Sequence, residues 1–339
     1  MKVFSGLFER ALEMNVYQFN GQKVNIMSFS KNGYGIVRKE DNPNGWESDN
    51  IRFCLKKVDA DMLAKFGSEL VLEMKNNTIT VHCGTSKVSL QNITNIEPPN
   101  VVMKDMVSTG AKMSEFVKAS GISSKLGVQL AAGGIACASE DLSFVYRNIT
   151  PLAMPDLNIT IPKEAVKLLD KSKEYEIKAN NSIAAFVAPG EMVYTNLMIK
   201  FDSRIITFDP KPEGWFKVKD QNEFMKHIAF IEGFSKVIKI TFEKKDTFSQ
   251  IVLSNNVDTQ DPREYRAVVV VETNIESGSR MCSVENLKKL INAVNTDEFM
   301  FMIDNKMIKL ESESEMCYIA QVTNHELIPL KYEGEETNG

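Results

Sequence analysis

Three histidines, His82, His227 and His325, are the side chains best suited to acid–base chemistry or metal ligation near neutral pH. They lie far apart, with no HxH or HExxH spacing. Without that spacing signature of a metal site they read as structural or surface residues. The five cysteines, Cys54, Cys83, Cys137, Cys282 and Cys317, are odd in number and lack CxxC spacing. Each falls in or near an apolar strand-like run, which predicts buried free thiols in a reducing compartment. Glu140 and Asp141 are adjacent, and neighbours on a strand point to opposite faces, so they do not form a metal pair. Ala131 to Ala136 reads AAGGIA, without the lysine and helix that a phosphate loop needs. The charges of DPREYR, Asp261 to Arg266, read as loop and strand-end residues. No GxSxG, Walker or Rossmann pattern occurs. The chain is expected to carry no catalytic site, no metal and no cofactor.

The pattern that remains is electrostatic. Lys163, Lys167 and Lys171 recur at i, i+4 and i+8, with Lys173 beyond. On an α-helix they form one cationic stripe, whose mutual repulsion costs a few tenths of a kcal/mol per pair. A nearby polyanion would offset that cost. Lys112 and Lys118 extend the trend before it, and Lys226, Lys288 and Lys289 after it. The plain alternative is a solvated helix face, since lysine is a good helix former. In the first third, Arg10 and Lys65 are accompanied by Glu9, Glu13, Asp59 and Asp61, so the basic bias belongs to the later segments. The formal net charge of −5 excludes an evenly basic surface; a local basic face is what attracts phosphate.

Positioning those lysines requires elements, and the elements repeat. Ile51–Ile93, Leu157–Ile199 and Ser279–Val322 share one layout: short strand, helix of about ten residues, strand, polar turn, two more strands. The turns are Asn76-Asn77, Asn180-Asn181 and Asp304-Asn305, residue types that tolerate left-handed backbone. Leu70, Leu72 and Met74, then Ile79, Val81 and Cys83, alternate as in strands with one apolar face. Tyr175, Ile177 and Ala179 do the same, as do Phe299, Phe301 and Ile303. The helices read at period 3.6 through Val58, Met62, Leu63 and Phe66; Ala165, Leu168 and Leu169; and Val284, Leu287, Ile291 and Val294. Pro162 suits a first helical turn and Ser283 an N-cap.

A second, looser helix-plus-strands half precedes each copy, with helices near Leu7–Leu12, Met113–Val117 and Phe224–Ile231. The fold class is therefore α+β: three similar domains, each of two βαβββ halves. Proline-marked linkers set the boundaries at 1–97, 98–210 and 211–330, followed by a flexible acidic tail, 331–339. The N-terminus lacks the apolar run of a signal peptide, and no stretch approaches the ~18 apolar residues of a membrane span. Soluble, cytoplasmic character is the expectation.

This layout resembles the subunit of bacterial β-type DNA sliding clamps, a resemblance that spans nearly the whole chain. Its strongest part is MCSVENLKKLINAVNTDEFMFMIDNKMIKLESESEMCYIAQV, which is similar to the last half-domain of those clamps down to a YxxxV strand, Tyr318 to Val322. The resemblance implies a ring with helices lining the hole and sheets outside. It implies a non-enzymatic processivity factor that encircles double-stranded DNA without reading sequence, tethers the replicative polymerase and is placed by a clamp loader. The nine lysines Lys112, Lys118, Lys163, Lys167, Lys171, Lys173, Lys226, Lys288 and Lys289 would then face DNA.

Two departures accompany it. The TDGHRL-like stretch of the family is SEDLSFV here, Ser139 to Val145, and the FPDYR-like run is KFDSRI, Lys200 to Ile205. By position, the family's partner-peptide pocket falls on Ser139, Leu142, Phe144, Phe201, Ile205, Ile206 and Val322; ordinary strand-core roles are the alternative. The family's head-to-tail homodimer contact falls on Val88 and Leu90, facing Phe224, Ile228 and Ile231. A clamp-fold interaction hub or checkpoint-type ring without a processivity role is the second functional reading. A nuclease or polymerase accessory is a weaker third.

Overall fold

One apolar residue in two is what a strand needs when its sheet is packed on one side, and segment after segment of the chain supplies it. In the computed structural model, residues 1–44, 50–101, 103, 105–123, 125–153, 158–198, 202–233, 235–255, 264–322 and 327–333 are described. Phe201, His325, Leu157, Ile199, Lys200 and the Asp261–Arg263 part of DPREYR lie outside them. The chain forms two compact units.

The first unit comprises Met1–Ser114 and Ala153–Ile199. Its larger sheet is antiparallel throughout and runs, neighbour to neighbour, through Asn50–Lys56, Met14–Asn20, Lys23–Phe29, Tyr34–Asp41, Glu191–Asn196, Ile183–Ala188, Glu176–Ala179 and Val107–Ser108. A four-stranded sheet of Lys2–Phe4, Glu69–Lys75, Thr78–Cys83 and Ser86–Gln91 completes it. The core gathers Leu7, Phe8, Tyr17, Phe19, Phe53, Leu55, Leu63, Leu70 and Val81, with Tyr17 stacked on Phe53 at 5.2 Å. The predicted turn at Asn76-Asn77 joins two of these strands, and Asn76 takes a φ of 54°.

The helices of this unit are shorter than predicted. Leu7–Leu12 is only a 3₁₀ turn, Ser5–Phe8, and Arg10 adopts a φ of 58°, which no helix continues through. The predicted apolar face of the next helix is rotated. Lys57–Ala64 buries Ala60 and Leu63, while Val58 is 69% exposed. Lys163–Leu168 is a 3₁₀ helix preceded by Pro162, so it turns once per three residues and ends before Lys171. Lys163, Lys167 and Lys171 therefore do not share one helical stripe.

The second unit comprises Glu115–Leu152 and Lys200–Gly339. Its strands also pair antiparallel without a break. They run Val128–Ala131, Gly134–Ala138, Phe144–Asn148, Glu315–Ala320, Met307–Glu311, Met300–Ile303, Gly214–Val218, Arg266–Thr273, Ser249–Asn255, Val237–Lys244, Ile275–Ser283 and Lys331–Tyr332. AAGGIA is a hairpin here. Gly134 has a φ of +117°, and a Cβ on it would meet the Asn148 carbonyl oxygen at 2.0 Å, so glycine alone fits. The helix Val284–Ala293 is N-capped by Ser283, as predicted, with the Asn286 N–H donating to its hydroxyl at 3.3 Å. Gln221–Glu232 starts from an Asp220 cap. Phe216 stacks on Phe301 at 4.8 Å in the core beneath. The predicted flexible tail begins too early, because Lys331 and Tyr332 pair with Ser277 and Ile275. Gly278, at φ +130°, makes room for that segment: a Cβ there would meet the Pro329 carbonyl oxygen at 2.6 Å.

The unit boundary falls inside the predicted second segment, whose two halves join different sheets. Its second half meets the first segment where Glu191–Thr195 pairs with Tyr34–Arg38. Its first half meets the third segment where Glu315–Ile319 pairs with Phe144–Asn148. Both seams are fastened by a buried carboxylate on the first residue of the closing strand. Glu191, with no side-chain exposure, receives the Arg10 guanidinium at 2.7 and 2.8 Å, Lys173 Nζ at 2.7 Å and the Tyr175 hydroxyl at 2.5 Å. Glu315 receives Lys118 Nζ, the Tyr146 hydroxyl at 2.6 Å and the Asn295 N–H at 2.7 Å. Glu315 follows Glu191 at the same interval that separates Asn305 from Asn181.

Burial by itself would raise the Glu191 carboxyl. The hydrogen bonds from Arg10, Lys173 and Tyr175, with the Arg10 charge, outweigh it and hold the group at about 2. A carboxyl depressed on folding contributes stability above its ordinary pKa and loses it as pH falls through the folded value. Glu191→Ala should therefore cost about 3–5 kcal/mol in urea unfolding at pH 7, because two cations lose their shared partner. The gap between wild type and Glu191→Gln should narrow as pH falls from about 4.5 towards 2.

Candidate partner pocket and interaction surfaces

The short helix Ser203–Thr207 begins at Asp202, whose carboxylate accepts from the Arg204 N–H at 3.0 Å. The buried Gln129 amide, oriented to satisfy both groups, donates to the Asp202 carbonyl at 2.9 Å and accepts from its N–H at 3.0 Å. The helix thereby sinks Ile205 and Ile206 into a cluster with Ala131, Ala136, Ala138, Val145, Met316 and Tyr318. Beside it opens a pocket of about 610 Å³. Leu142, Val145, Ile205, Phe208, Met307, Tyr318 and Ala320 supply its apolar surface, and Arg204, Thr207, Asp209 and Lys306 its polar rim.

Strand parity selects the lining. Val145 pairs directly with Tyr318 across the seam, so both face the pocket, while Phe144 and Ile319 face the core and are 3% and 0% exposed. Phe208 meets Tyr318 edge-on at 5.4 Å. Leu142 is presented by a tight turn at a φ of 58°. There Asp141 accepts from Ser139 Oγ at 2.7 Å and the Ser143 N–H at 3.0 Å, and these bonds hold its carboxyl below the usual range. A leucine held left-handed stores about 1–3 kcal/mol of strain, which persists only where the surroundings enforce it. Behind the wall, buried Lys309 donates to Asp209 Oδ1 at 3.2 Å and the Pro210 carbonyl at 3.1 Å, and pairs with Glu311 at 2.6 Å.

Of the predicted pocket residues, Leu142 and Ile205 line it, Ile206 lies in the cluster with Ile205, and Ser139 shapes the turn. Phe144 does not belong, because its parity turns it into the core. Val322 is 37% exposed and outside the lining, its N–H donating to the Met281 carbonyl at 2.9 Å. Val145, Phe208, Met307, Tyr318 and Ala320 were missed. Period-two alternation from the correct starting residue would have found Val145, Tyr318 and Ala320.

The lysines divide into two groups. Lys118 and Lys173 are committed to Glu315 and Glu191, and Lys288 and Lys289 pair with Glu232 and Glu285. Lys118 and Lys173 are held by buried carboxylates, whereas the Lys288 and Lys289 pairs are exposed surface contacts of little strength. Lys112, Lys167, Lys171 and Lys226 are exposed, and Lys163 is half-buried. Among the described residues no cluster of three His, Cys, Asp or Glu could hold a metal. His82 lies 3.4 Å from Glu73; His227 Nδ1 lies 2.6 Å from the Tyr265 hydroxyl. Cys54, Cys137, Cys282 and Cys317 are buried free thiols, and Cys83 is half-buried.

Among the described residues each sheet ends in strands with a free edge, Lys2–Phe4 and Asn50–Lys56 as well as Ser86–Gln91, and two open edges bear on the predicted self-contact. One is Ser86–Gln91, which pairs only with Thr78–Cys83. The other is the Arg266–Val270 stretch, because the next strand pairs only with Val271–Thr273. Leu90 is buried and Val88 half-buried against the first core. Phe224, Ile228 and Ile231, predicted to face them, are each 0% exposed. They are core residues and cannot receive a partner. The exposed apolar groups beside the second edge are Phe230, at 60% and with its ring 4.8 Å from Tyr265, together with Val268 and Val270.

Lys309→Ala should cost about 1–3 kcal/mol by urea denaturation, since it strips the Pro210 carbonyl of a buried donor. Lys309→Met, which keeps the packed stem, should cost less.

No family model matches the chain, and no curated protein matches it in sequence. Solved structures do match it. The Helicobacter pylori β clamp bound to a DNA ligase peptide superposes with a TM-score of 0.78 at 14% identity, covering 96% of this chain and 100% of that one. The same clamp with diflunisal gives 0.78 at 14%, again covering 96% and 100%. The DNA polymerase III β subunit of Pseudomonas aeruginosa gives 0.77 at 11%, covering 96% and 100%. The chain has the fold of the bacterial β sliding clamp.

Proposed function

We propose that the chain is one subunit of a DNA sliding clamp, three similar modules that join a second copy head to tail. The observation that carries this is the pattern of the two seams, which leaves two strand edges without the equivalent closing partner. The first-half strand of segment one is closed by segment two, and that of segment two by segment three. The first-half strand of segment three, Arg266–Thr273, and the last strand of segment one, Ser86–Gln91, lack the equivalent partner. A second copy supplies both, and two such contacts close a ring when the rotation closes. Closure also removes the aggregation hazard of open edges.

The register of that third seam follows from the other two. Glu191 and Glu315 each pair four residues beyond Tyr34 and Phe144, which sit across their hairpins from Ser30 and Ser139. Tyr265, beside Asn255, is the counterpart of Tyr34 and Phe144. Ser86 then pairs with Val269 of the second copy, Lys87 with Val268 and Leu90 with Tyr265.

Within such a ring, Lys112, Lys163, Lys167, Lys171 and Lys226 attract phosphate without selecting bases, which is what sliding requires. The apolar pocket with its polar rim suits short peptides of the replicative polymerase, the loader and other replication proteins. The work is tethering, not chemistry, and its place is the cytoplasm. No helix among the described residues is long and apolar enough to cross a membrane. Lys118 and Lys173, held by the buried Glu315 and Glu191, favour the second reading, a clamp-fold interaction hub that binds no DNA.

Lys87→Cys with Val268→Cys should form disulfides between copies under mild oxidation, since both side chains are exposed and directly opposed. Oxidation after mixing with nicked circular DNA should give a complex that survives high salt and is released by linearisation. A complex equally salt-sensitive on circular and linear DNA would exclude encirclement and leave the hub. Diflunisal should bind, by its fluorine resonances, and Tyr318→Ala should weaken it about tenfold or more.

A further inference from the structure

Each closing strand starts directly after a two-residue turn. Ala188 pairs with Glu191 around Pro189-Gly190, the Ser312 N–H meets the Glu315 carbonyl around Glu313-Ser314, and Cys83 pairs with Ser86 around Gly84-Thr85. Three equivalent positions thus hold Glu191, Glu315 and Ser86. At the first two, a buried carboxylate takes a cation from the neighbouring half-domain and a tyrosine hydroxyl. At the third, an exposed serine takes their place.

The cation is retained. The helices Met113–Ile122 and Gln221–Glu232 share a register, SEFVK against NEFMK, with Phe116 and Phe224 both 0% exposed. Lys226 therefore stands where Lys118 stands, and it is exposed. The tyrosine of the Glu315 seam is not retained. Tyr146 lies two residues beyond Phe144, and the residue two beyond Tyr265 is Ala267.

We infer that the seam between two copies omits the carboxylate latch of the two seams within the chain, and that this omission makes it the seam that opens. This rests on the self-association proposed above. Opening an intramolecular seam would strand a buried carboxylate and its cations, a large penalty. Opening the third seam separates only a backbone ladder and apolar contacts, so a second copy can leave while each protomer keeps its fold. Lys226 faces the missing acid and would accept one.

The test restores the latch. Ser86→Glu with Ala267→Tyr should slow subunit exchange about tenfold or more, measured by energy transfer between donor- and acceptor-labelled dimers. Lys226→Ala should abolish that slowing, and Ser86→Gln with Ala267→Tyr should not reproduce it. Should the double variant misfold, Ser86→Glu alone alters only an exposed side chain of the protomer and carries the same Lys226-dependent expectation. A dimer whose exchange ignores the graft would overturn this inference alone. A monomer at every concentration would overturn the self-association reading, and the inference with it.

Discussion

An unpaired strand edge is a row of hydrogen-bonding groups that only another strand satisfies well. The chain is organised around that constraint. Each first-half sheet ends in such an edge, and two of the three are covered by strands from the next segment. The apolar alternation that packs the sheets says nothing about where they end. The seams do, and they carry one sheet past the limits of any single repeat. That is why the compact units cut through the middle segment instead of between segments.

The seams also explain where the charged residues went. A buried carboxylate is tolerated when cations and hydroxyls replace its water. Glu191 meets that condition with Arg10 from across its seam and Lys173 from its own side, and Glu315 with Lys118 and Tyr146 from across its seam and the Asn295 N–H from its own side. Burial and the Glu191 carboxylate push the Tyr175 hydroxyl up to about 12, so it remains a donor across the physiological range. The pocket depends on the second seam in the same way. Val145 and Tyr318 line it because they are paired across that seam, and Lys309 and Gln129 tie the linker into place beside it.

The repeat was legible because its markers are local: Asn-Asn and Asp-Asn turns, alternating strands, and a Ser283 cap that all act within a few residues. Helix length was less legible. Arg10 in a left-handed conformation and a 3₁₀ turn after Pro162 end segments whose apolar spacing continues. The fate of Lys118 was invisible because Glu315 is 197 residues away, so an apparent ligand-facing charge is half of an internal ion pair. Parity decided the pocket: choosing Phe144 instead of Val145 turned the lining inside out. The self-association surface failed for a related reason. Phe224, Ile228 and Ile231 mark the helix stripe that fills the core, whereas Phe230 lies off that stripe and is the side chain left in solvent.

Self-association depends on two edges that find each other in separate copies. Amide hydrogen exchange followed across a dilution series reads those edges directly. Residues 86–91 and 265–270 should gain protection as protein concentration rises, while 191–196 and 315–320 stay protected throughout. Protection at 86–91 and 265–270 that ignores concentration would contradict it.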